Sequence, residues 1–538
     1  MKKVICLVLA VLLAAVALAS CSAGVLMERL HKNVASSTTE EQAYEREEGA
    51  IVMDEAPGSA TVPTEFYYEE ESFESYIPIE ENTEKPTDKD SLVTFSLKVD
   101  TASYSNVARY IDSGQLPPAD AVRVEELVNY FSYNTPEEFG EHPLSLYTEV
   151  AQNPFDPQKY TAFIRVKSRN IDRSELPASN LVFLIDSSGS MDSYDKLPLL
   201  QKAFSLLAET LDERDRVSIV TYAGSSEVIL SGARGDETEK ITEAINSLWA
   251  GGSTAGAEGI STAYELAEEY YLEDGNNRVI LATDGDFNVG LSSVEELADF
   301  IGEKRQSGVY LSTLGFGTDN LKDDIMETLS KDGNGNYSYI DSARTAKKVL
   351  VDELGSNLFT IADDVKAQVE FNPANVKSYR LIGYENRTLD NEDFDDDKKD
   401  AGEIGVDTDV VALFELTLND SGGGGGLKYG ANTSKPSQTD FSEYGDELFE
   451  VRIRYKNPGE TESKLILSPA TFDDISEGGE DFSFACSVAE FGKLLRGSDF
   501  AAGGIDEIID VASENIAEDD GAYRTEFLAL LRRCKKLN

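Results

Sequence analysis

Between residues 181 and 358, short apolar runs alternate with longer segments in which apolar residues recur at helical spacing. The short runs are rich in β-branched residues and read LVFLID, RVSIVTY, RVILATDG, VYLSTLGFG and NYSYID. Strands that alternate with helices predict βαβ crossovers and a mostly parallel sheet covered on both faces. The run SSEVIL, just after the second strand, predicts one antiparallel edge strand. The expected fold class of residues 181–358 is therefore α/β, with a doubly wound, Rossmann-like sheet.

Segments with other patterns flank this α/β segment. Residues 91–180 read as a strand, two helices and two alternating strands, which predicts an N-terminal mixed α+β module. Residues 359–482 contain runs such as DVKAQVEFNP and ELFEVRIRYKN, which predict an antiparallel β-rich domain with a Gly-rich insertion. Residues 483–538 carry apolar residues at helical spacing, so we expect a C-terminal helical segment.

The N-terminus has the pattern of an export signal. Two lysines precede an apolar run that ends in small residues, so residues 1–20 are interpreted as a signal peptide. The stretch LASC resembles a bacterial lipobox, which implies that Cys21 is the lipidated first residue of the mature protein. The alternatives are a signal peptide with an incidental cysteine or a membrane helix, although the run is short for a bilayer span. We expect a protein outside the cytoplasm, in the cell envelope, lipid-anchored to a bacterial membrane.

Composition adds a strong negative charge to this picture. The 538 residues include 100 acidic and 48 basic side chains, a formal net charge of −52, which disfavours nucleic-acid binding. Residues 21–90 are acidic and rich in Ser, Thr, Pro and Gly, and predict a disordered tether. No segment after the signal is apolar enough to span a bilayer, so we expect no transmembrane pore and membrane contact through the lipid anchor alone.

The cysteine content leaves two possibilities for the C-terminal region. With Cys6 in the signal and Cys21 lipidated, only Cys486 and Cys534 remain in the mature chain. There is no CxxC motif, so zinc chemistry is close to excluded. The two thiols either form a disulfide, which the compartment permits, or stay free and buried on apolar helix faces.

Small oxygen-bearing side chains follow the strands of the α/β segment, at the edge where the crevice of an open parallel sheet lies. The candidates are Asp186, Ser188 and Ser190 after the first strand, Thr254 in a glycine-rich turn, and Asp284 at the end of a later strand. Two carboxylates and three hydroxyls suit a hard dication, Mg²⁺ first, with Mn²⁺ or Ca²⁺ as alternatives. Because hydroxyls are neutral ligands, the metal stays electrophilic and can accept a carboxylate from a partner protein.

The same residues carry a family resemblance. The D-x-S-x-S motif at 186–190, the GGST threonine and the TDG aspartate resemble the metal-ion-dependent adhesion site of von Willebrand factor type A (VWA) domains. Over about residues 91–538, stretches such as LPPADAVRVEELVNYF and VEFNPANVKSYRLIGYENR are similar to bacterial VWA lipoproteins often labelled Ca-activated chloride channel homologues. The resemblance implies a VWA fold and the ligands Asp186, Ser188, Ser190, Thr254 and Asp284. The tether and the Gly-rich insertion fall outside it.

These observations predict a lipid-anchored envelope protein that binds a protein partner through Mg²⁺, with an Asp or Glu of the partner completing the metal site. One alternative is a structural scaffold in which the metal only stabilises the domain and binds no partner. The other is a metal-dependent hydrolase. We expect no enzyme and no catalytic residue, because His31 and His142 are the only histidines and no base–nucleophile pair is evident.

Overall fold

The structure is a computed structural model of the chain. The residues that it describes are 74–98, 100–252, 256–285, 294–317, 321–399, 401–419, 445–516 and 522–537. The predicted signal peptide, Cys21, the tether up to residue 73, Thr254 and most of the Gly-rich insertion lie outside the described residues. All described residues belong to one unit, residues 71–538.

The strands in chain order are β1 (Lys85–Pro86), β2 (Leu92–Ser96), β3 (Leu144–Gln152), β4 (Tyr160–Ser168), β5 (Ser179–Asp186), β6 (Arg216–Tyr222), β7 (Ser226–Arg234), β8 (Asn276–Thr283), β9 (Val309–Phe316), β10 (Tyr337–Ile340), β11 (Thr360–Phe371), β12 (Val376–Ile382), β13 (Thr388–Leu389), β14 (Gly402–Gly405), β15 (Asp409–Leu418), β16 (Glu447–Lys456), β17 (Lys464–Thr471) and β18 (Ile475–Ser476). The α-helices in chain order are α1 (Ala102–Asp112), α2 (Val124–Asn129), α3 (Leu197–Ala208), α4 (Thr238–Asn246), α5 (Gly256–Glu269), α6 (Val294–Gln306), α7 (Asp323–Asp332), α8 (Ala343–Lys347), α9 (Leu354–Leu358), α10 (Glu480–Arg496), α11 (Ile505–Glu514) and α12 (Tyr523–Cys534).

The α/β domain contains a sheet of strand order β10–β9–β8–β5–β6–β7, parallel except for β7, which pairs antiparallel with β6 at the edge. Every residue of the central strand β5 is buried. Leu181 and Phe183 point into one apolar core, and Val182 and Leu184 point into another on the opposite face. This alternation confirms the predicted fold class, because a parallel sheet covered by helices on both faces buries both sets of side chains. The antiparallel edge strand is also confirmed.

The remaining strands form two sheets that pack face to face. One has the order β1–β12–β15–β4–β3–β18, and the other has the order β13–β2–β11–β16–β17, with β14 also paired to β11. Their shared core is one apolar cluster that includes Ile164, Val369, Phe414 and Val451. In both sheets, strands from before the α/β domain pair with strands from after it, as in β4 with β15 and β2 with β11. The segments 91–180 and 359–482 therefore share one β-sandwich, and the α/β domain is inserted between β4 and β11.

A helical layer covers the outer face of the sheet that contains β4. Ala162 and Ile164 of β4 face the sandwich core, whereas Phe163 faces the helices α1, α2 and α10–α12. Phe527 of α12 is fully buried in this layer, with its ring 5.6 Å from those of Phe131 and Phe484. The C-terminal helices predicted from their periodicity thus form a layer over the sandwich.

Both cysteines that remain after the signal lie in this helical layer. Cys486 of α10 and Cys534 of α12 are buried and form no disulfide. Burial raises the pKa of the Cys486 thiol to about 12. Of the two alternatives left open by the sequence, the structure contains the free, buried thiols.

A buried ion-pair network joins the α/β domain to the flanking segments. Its members are Lys98, Asp100, Arg123, Glu126, Asp323, Glu327 and Arg387. Arg123, just before α2, lies 2.6 Å from Asp323 of α7. Arg387, which follows β12, lies 2.7 Å from Asp100 and 3.0 Å from Glu327. The network fixes α7 to residues from both sides of the insertion.

Residues 74–90, which the sequence analysis assigned to the tether, make specific contacts in the structure. Glu74 forms an ion pair with Arg109 at 2.9 Å. The Ser75 backbone N–H donates to the Leu321 carbonyl at 3.1 Å, and its hydroxyl donates to Asp324 at 2.6 Å. The short strand β1 pairs with β12. The folded part therefore extends at least to residue 74.

None of the described helices combines the length and apolar character that crossing a lipid bilayer requires.

Candidate metal-binding site

The first loop of the predicted site begins at Asp186, the last residue of β5, whose side chain is fully buried. One carboxylate oxygen of Asp186 accepts the Ser188 backbone N–H at 2.8 Å, and the other accepts the Thr283 hydroxyl at 3.1 Å. The chain then makes a 3₁₀ turn, Gly189–Asp192, with Met191 buried beneath it. This turn brings the Ser188 and Ser190 hydroxyls to 2.9 Å from each other. Three predicted ligands thus lie together on one loop.

The second loop, which carries Thr254, is attached directly to the first. The Gly189 N–H donates to the Gly252 carbonyl at 3.3 Å, and the Gly251 N–H donates to the Ser187 carbonyl at 2.8 Å. Gly252 has φ +91°, and a Cβ there would lie 2.9 Å from the Ala223 carbonyl oxygen, so only glycine fits without strain. Thr254 itself is outside the described residues, but the chain leading to it is held against the D-x-S-x-S loop.

The third contribution is Asp284, which directly follows β8 and is fully buried. Its carboxylate accepts a hydrogen bond from Lys196 Nζ at 2.8 Å. The aliphatic part of Lys196 runs over Gly317, where φ is +74° and a Cβ would lie 2.2 Å from Lys196 Cε. Glycine at this position leaves room for the lysine to reach the carboxylate.

Burial and charge act on the two carboxylates together. Desolvation by burial, together with the negative charge of Asp284, raises the pKa of Asp186 to about 6 against the lowering effect of hydrogen bonds from Ser188 and Thr283. Burial beside Asp186 also raises the pKa of the Tyr222 hydroxyl far above its usual value. Two buried carboxylates that repel each other provide an environment in which a cation is electrostatically favoured.

The donor set fits a hard dication. Carboxylate and hydroxyl oxygens are the ligand types that Mg²⁺ and Ca²⁺ take in proteins. Asp186, Asp284 and Ser188 are buried, whereas Gly189, Ser190 and Gly252 are exposed, so the site faces solvent on the side of Ser190. Among the described residues, no group of three His, Cys, Asp or Glu side chains could hold a metal. The candidate site has two carboxylates and depends on hydroxyls for the remaining ligands.

The sequence pattern did not indicate every residue at this site. Lys196 contacts Asp284 and lies outside the motif. Thr283 is the threonine of TDG, but it was not among the predicted ligands, and its hydroxyl donates to Asp186. A lysine that follows a D-x-S-x-S loop cannot be recognised as part of the site from sequence, because its contact depends on the position of β8 and on the close approach of Gly317. His142 lies elsewhere, with its Nδ1 2.9 Å from the Tyr455 hydroxyl in the β-sandwich.

Comparison with known proteins places the chain in a family. A family model described as von Willebrand factor type A domain matches residues 180–352, and one described as von Willebrand factor matches residues 70–162. A third, described as Uncharacterized protein YfbK, C-terminal, matches residues 356–537. The protein YfbK of Escherichia coli (strain K12) is 42% identical over 465 residues, which cover 85% of this chain and 80% of YfbK.

Two further similarities cover the chain less well. Calcium-activated chloride channel regulator 1 of Bos taurus is 28% identical over 159 residues, 29% of this chain and 17% of the regulator. The solved structure of a von Willebrand factor type A protein from Catenulispora acidiphila is 14% identical and covers 73% of this chain and 91% of its own, with a TM-score of 0.40. The matches to YfbK extend through both the α/β domain and the C-terminal region. The chain belongs to the family of bacterial VWA-domain proteins represented by YfbK.

Proposed function

We propose that this protein is a lipid-anchored cell-envelope protein whose VWA domain binds a protein partner through Mg²⁺. Asp186, Ser188, Ser190, Thr254 and Asp284 hold the metal, directly or through water, and an Asp or Glu of the partner completes it. A VWA domain supports an adhesion or scaffold role, and the proposal specifies adhesion through the metal. The observation that carries it is the convergence of Asp186, the Ser188–Ser190 hydroxyl pair and buried Asp284 at one edge of the sheet.

Several features of the site support an external ligand for the metal. The charged ligands are buried, whereas the neutral ligand Ser190 is exposed. A metal held in this way keeps an incompletely neutralised charge toward solvent, and carboxylate is the protein group that best satisfies a hard cation. We assign no catalytic residue, and we propose that the partner is held and not chemically changed.

The anchoring part of the proposal depends on the N-terminal sequence alone. The lipobox-like LASC at Cys21 would place two or more acyl chains in a membrane, enough for stable attachment without a spanning helix. The acidic tether would then keep the folded unit away from an anionic membrane surface. The proposed division keeps a signal at residues 1–20, a VWA domain at 181–358 and a helical segment at 483–538. The tether is shortened to residues 21–73, and the N-terminal module and the β-rich domain are joined in one β-sandwich.

The direct test is the variant Asp186→Ala, with Asp192→Ala as the matched control. Asp192 is exposed on the same loop and is not a proposed ligand. We expect Asp186→Ala to lose Mg²⁺ binding in calorimetry while its circular dichroism spectrum stays that of the wild type. Asp192→Ala should keep the wild-type affinity. Undiminished Mg²⁺ affinity in Asp186→Ala would contradict the assignment.

A second measurement distinguishes the proposed adhesion function from the scaffold alternative. If the metal only stapled the domain, EDTA would lower the melting temperature and leave the affinity for a bound partner unchanged. Under the proposal, EDTA releases the partner.

A further inference from the structure

The rim of the candidate metal site carries two unusually exposed aromatic side chains. Tyr194 is 86% exposed and Trp249 is 74% exposed, and no other large hydrophobic side chain among the described residues exceeds 53%, the value for Leu467 in the β-sandwich. Single exposed apolar residues are normal on protein surfaces. Here the two most exposed aromatic residues of the described part of the chain lie next to the two loops that carry candidate metal ligands.

Trp249 is held in place by the second loop. A Cβ at Gly251 would lie 2.3 Å from Trp249 Cζ3, so the indole ring rests against the Gly251 backbone. The Gly251 N–H in turn donates to the Ser187 carbonyl in the first loop at 2.8 Å. One edge of the indole is therefore fixed to the backbone between the ligand loops, and the remainder of the ring is open to solvent.

Tyr194 follows the first loop at the same edge of the sheet. It comes four residues after Ser190, beyond the turn that Met191 anchors in the core. On either side of it, the Lys196 backbone N–H donates to the Ser193 carbonyl at 3.1 Å, which closes the backbone into a local turn. The tyrosine ring is left outside this turn.

Exposed acidic side chains lie on the elements that meet at this edge of the sheet. Asp192 is exposed on the first loop, Glu258 is exposed in the first turn of α5 after Thr254, and Glu227 is exposed on β7 opposite Thr221. Lys196, which forms an ion pair with the candidate ligand Asp284, is buried. A partner that brings only negative charge to this rim would be repelled, in keeping with the net charge of −52.

We propose that Trp249 and Tyr194 form an aromatic rim that selects a basic partner segment, in which one Asp or Glu reaches the metal and an adjacent Arg or Lys packs on the rings. This inference rests on the proposed function of the metal site. A cation over an aromatic face is attracted by the ring quadrupole, most strongly over tryptophan. The surrounding carboxylates strengthen that attraction, whereas they oppose a segment with further acidic residues.

The energetic role follows from the position of the rings. Tryptophan and tyrosine are among the residue types that most often dominate binding energy at protein interfaces. The metal supplies attraction for a carboxylate of any sequence. The aromatic rim then supplies discrimination between segments that all carry a carboxylate.

The test is a selection of random peptides displayed on phage against the full chain in Mg²⁺, with elution by EDTA. We expect the eluted peptides to carry one Asp or Glu with Arg or Lys within two positions. Synthetic copies should bind Trp249→Ala and Tyr194→Ala about tenfold more weakly than the wild type. Since Trp249 is the only tryptophan in the sequence, its fluorescence should shift when such a peptide binds the wild type.

The controls separate the rim from the metal site. Tyr271→Ala removes a half-exposed tyrosine between α5 and β8, at the opposite edge of the sheet, and should bind the peptides as the wild type does. Both rim variants should keep wild-type Mg²⁺ affinity in calorimetry. Peptides that bind the double rim variant undiminished, or acidic peptides selected without a neighbouring cation, overturn the aromatic rim alone. The absence of any EDTA-eluted peptide, or full binding to Asp186→Ala, removes the proposed function and the rim together.

Discussion

At the scale of single residues, the ion pair between Lys196 and Asp284 sets the charge of the candidate metal site. Lys196 Nζ lies 2.8 Å from the buried carboxylate of Asp284. The lysine therefore compensates part of the negative charge when no metal is bound. The same positive charge opposes an incoming dication. We infer that Lys196 lowers the metal affinity and supports the fold without metal.

The variant Lys196→Met tests this inference by removing the charge and keeping most of the aliphatic volume. In EDTA we expect it to be less stable than the wild type by about 3 kcal/mol, because removing one partner of a buried ion pair leaves a poorly compensated charge. Its Mg²⁺ affinity should rise about tenfold, since one positive charge near the metal is gone. Urea unfolding and calorimetry give the two values.

Lys202→Met is the matched control for Lys196→Met, because Lys202 is exposed on α3, the helix that directly follows Lys196. It should change neither value. A Mg²⁺ affinity in Lys196→Met that equals or falls below that of the wild type would show that the lysine supports the metal ligands.

The sequence predicted the polar loops better than it predicted the tertiary contacts that their side chains make. The D-x-S-x-S pattern is local, so its turn and the Ser188–Ser190 contact follow from nearby residues and a glycine between them. Lys196 meets Asp284 only because β5 and β8 are neighbours in the sheet and Gly317 has no side chain. Such contacts depend on tertiary packing and have no periodicity.

At the scale of secondary-structure elements, helix α12 shows how the C-terminal segment is held. Phe527 is fully buried, and its ring contacts those of Phe131 near α2 and of Phe484 and Phe491 on α10. The helix is therefore a part of the central core that lies between the sandwich and its helical layer, although it comes last in the chain.

Phe527→Ala should destabilise the protein by about 3–5 kcal/mol, because it removes a large buried ring and leaves a cavity among other rings. Phe472→Ala provides the aromatic control, since Phe472 follows β17 and is half-exposed. We expect that control to lie within about 0.5 kcal/mol of the wild type. Urea unfolding measures both, and a loss below about 1 kcal/mol for Phe527→Ala would show that the helix is not integral to the core.

The strands and helices were easier to predict than the pairing of the strands in the sheets. The runs RVSIVTY and DVVALFELTL have apolar residues at alternating or consecutive positions, and they form the strands β6 and β15. Such a pattern can be recognised in the local sequence alone. The pairing of β15 with β4 and of β11 with β2 joins segments separated by the whole α/β domain. Register depends on which faces are buried, and that information is not local. The single β-sandwich shared by residues 91–180 and 359–482 was therefore not foreseen.

At the scale of the whole molecule, the buried ion-pair network fixes the VWA domain to its surroundings. Among the described residues it contains four carboxylates and three cations, and burial together with the excess negative charge raises the pKa of Glu126 to about 7. The folded state thus holds a proton on Glu126 more tightly than the unfolded chain does. Its stabilising contribution is complete below about pH 4.5 and is lost as the pH rises through about 7.

Glu126→Gln should keep that contribution at all pH values, because the amide imitates the protonated acid. We expect the variant to gain on the order of 2 kcal/mol relative to the wild type between pH 5 and pH 8. Glu239→Gln, an exposed glutamate of α4, should show no such difference. Urea unfolding at both pH values measures the effect, and a parallel pH dependence of the two proteins would show that Glu126 stays ionised.

The insertion of the VWA domain between β4 and β11 has a consequence for the order of synthesis. Strands β2, β3 and β4 leave the ribosome first, but β11 and β15, which flank β2 and β4 in the finished sheets, are translated only after the entire VWA segment. During this interval the edges of the early strands remain unpaired, and unpaired strand edges can associate with other chains. The VWA segment can close its own sheet during this interval, since all its strands are contiguous. Folding should accordingly proceed from the inserted domain outward, with the sandwich completed last and at the slow rate typical of long-range pairing.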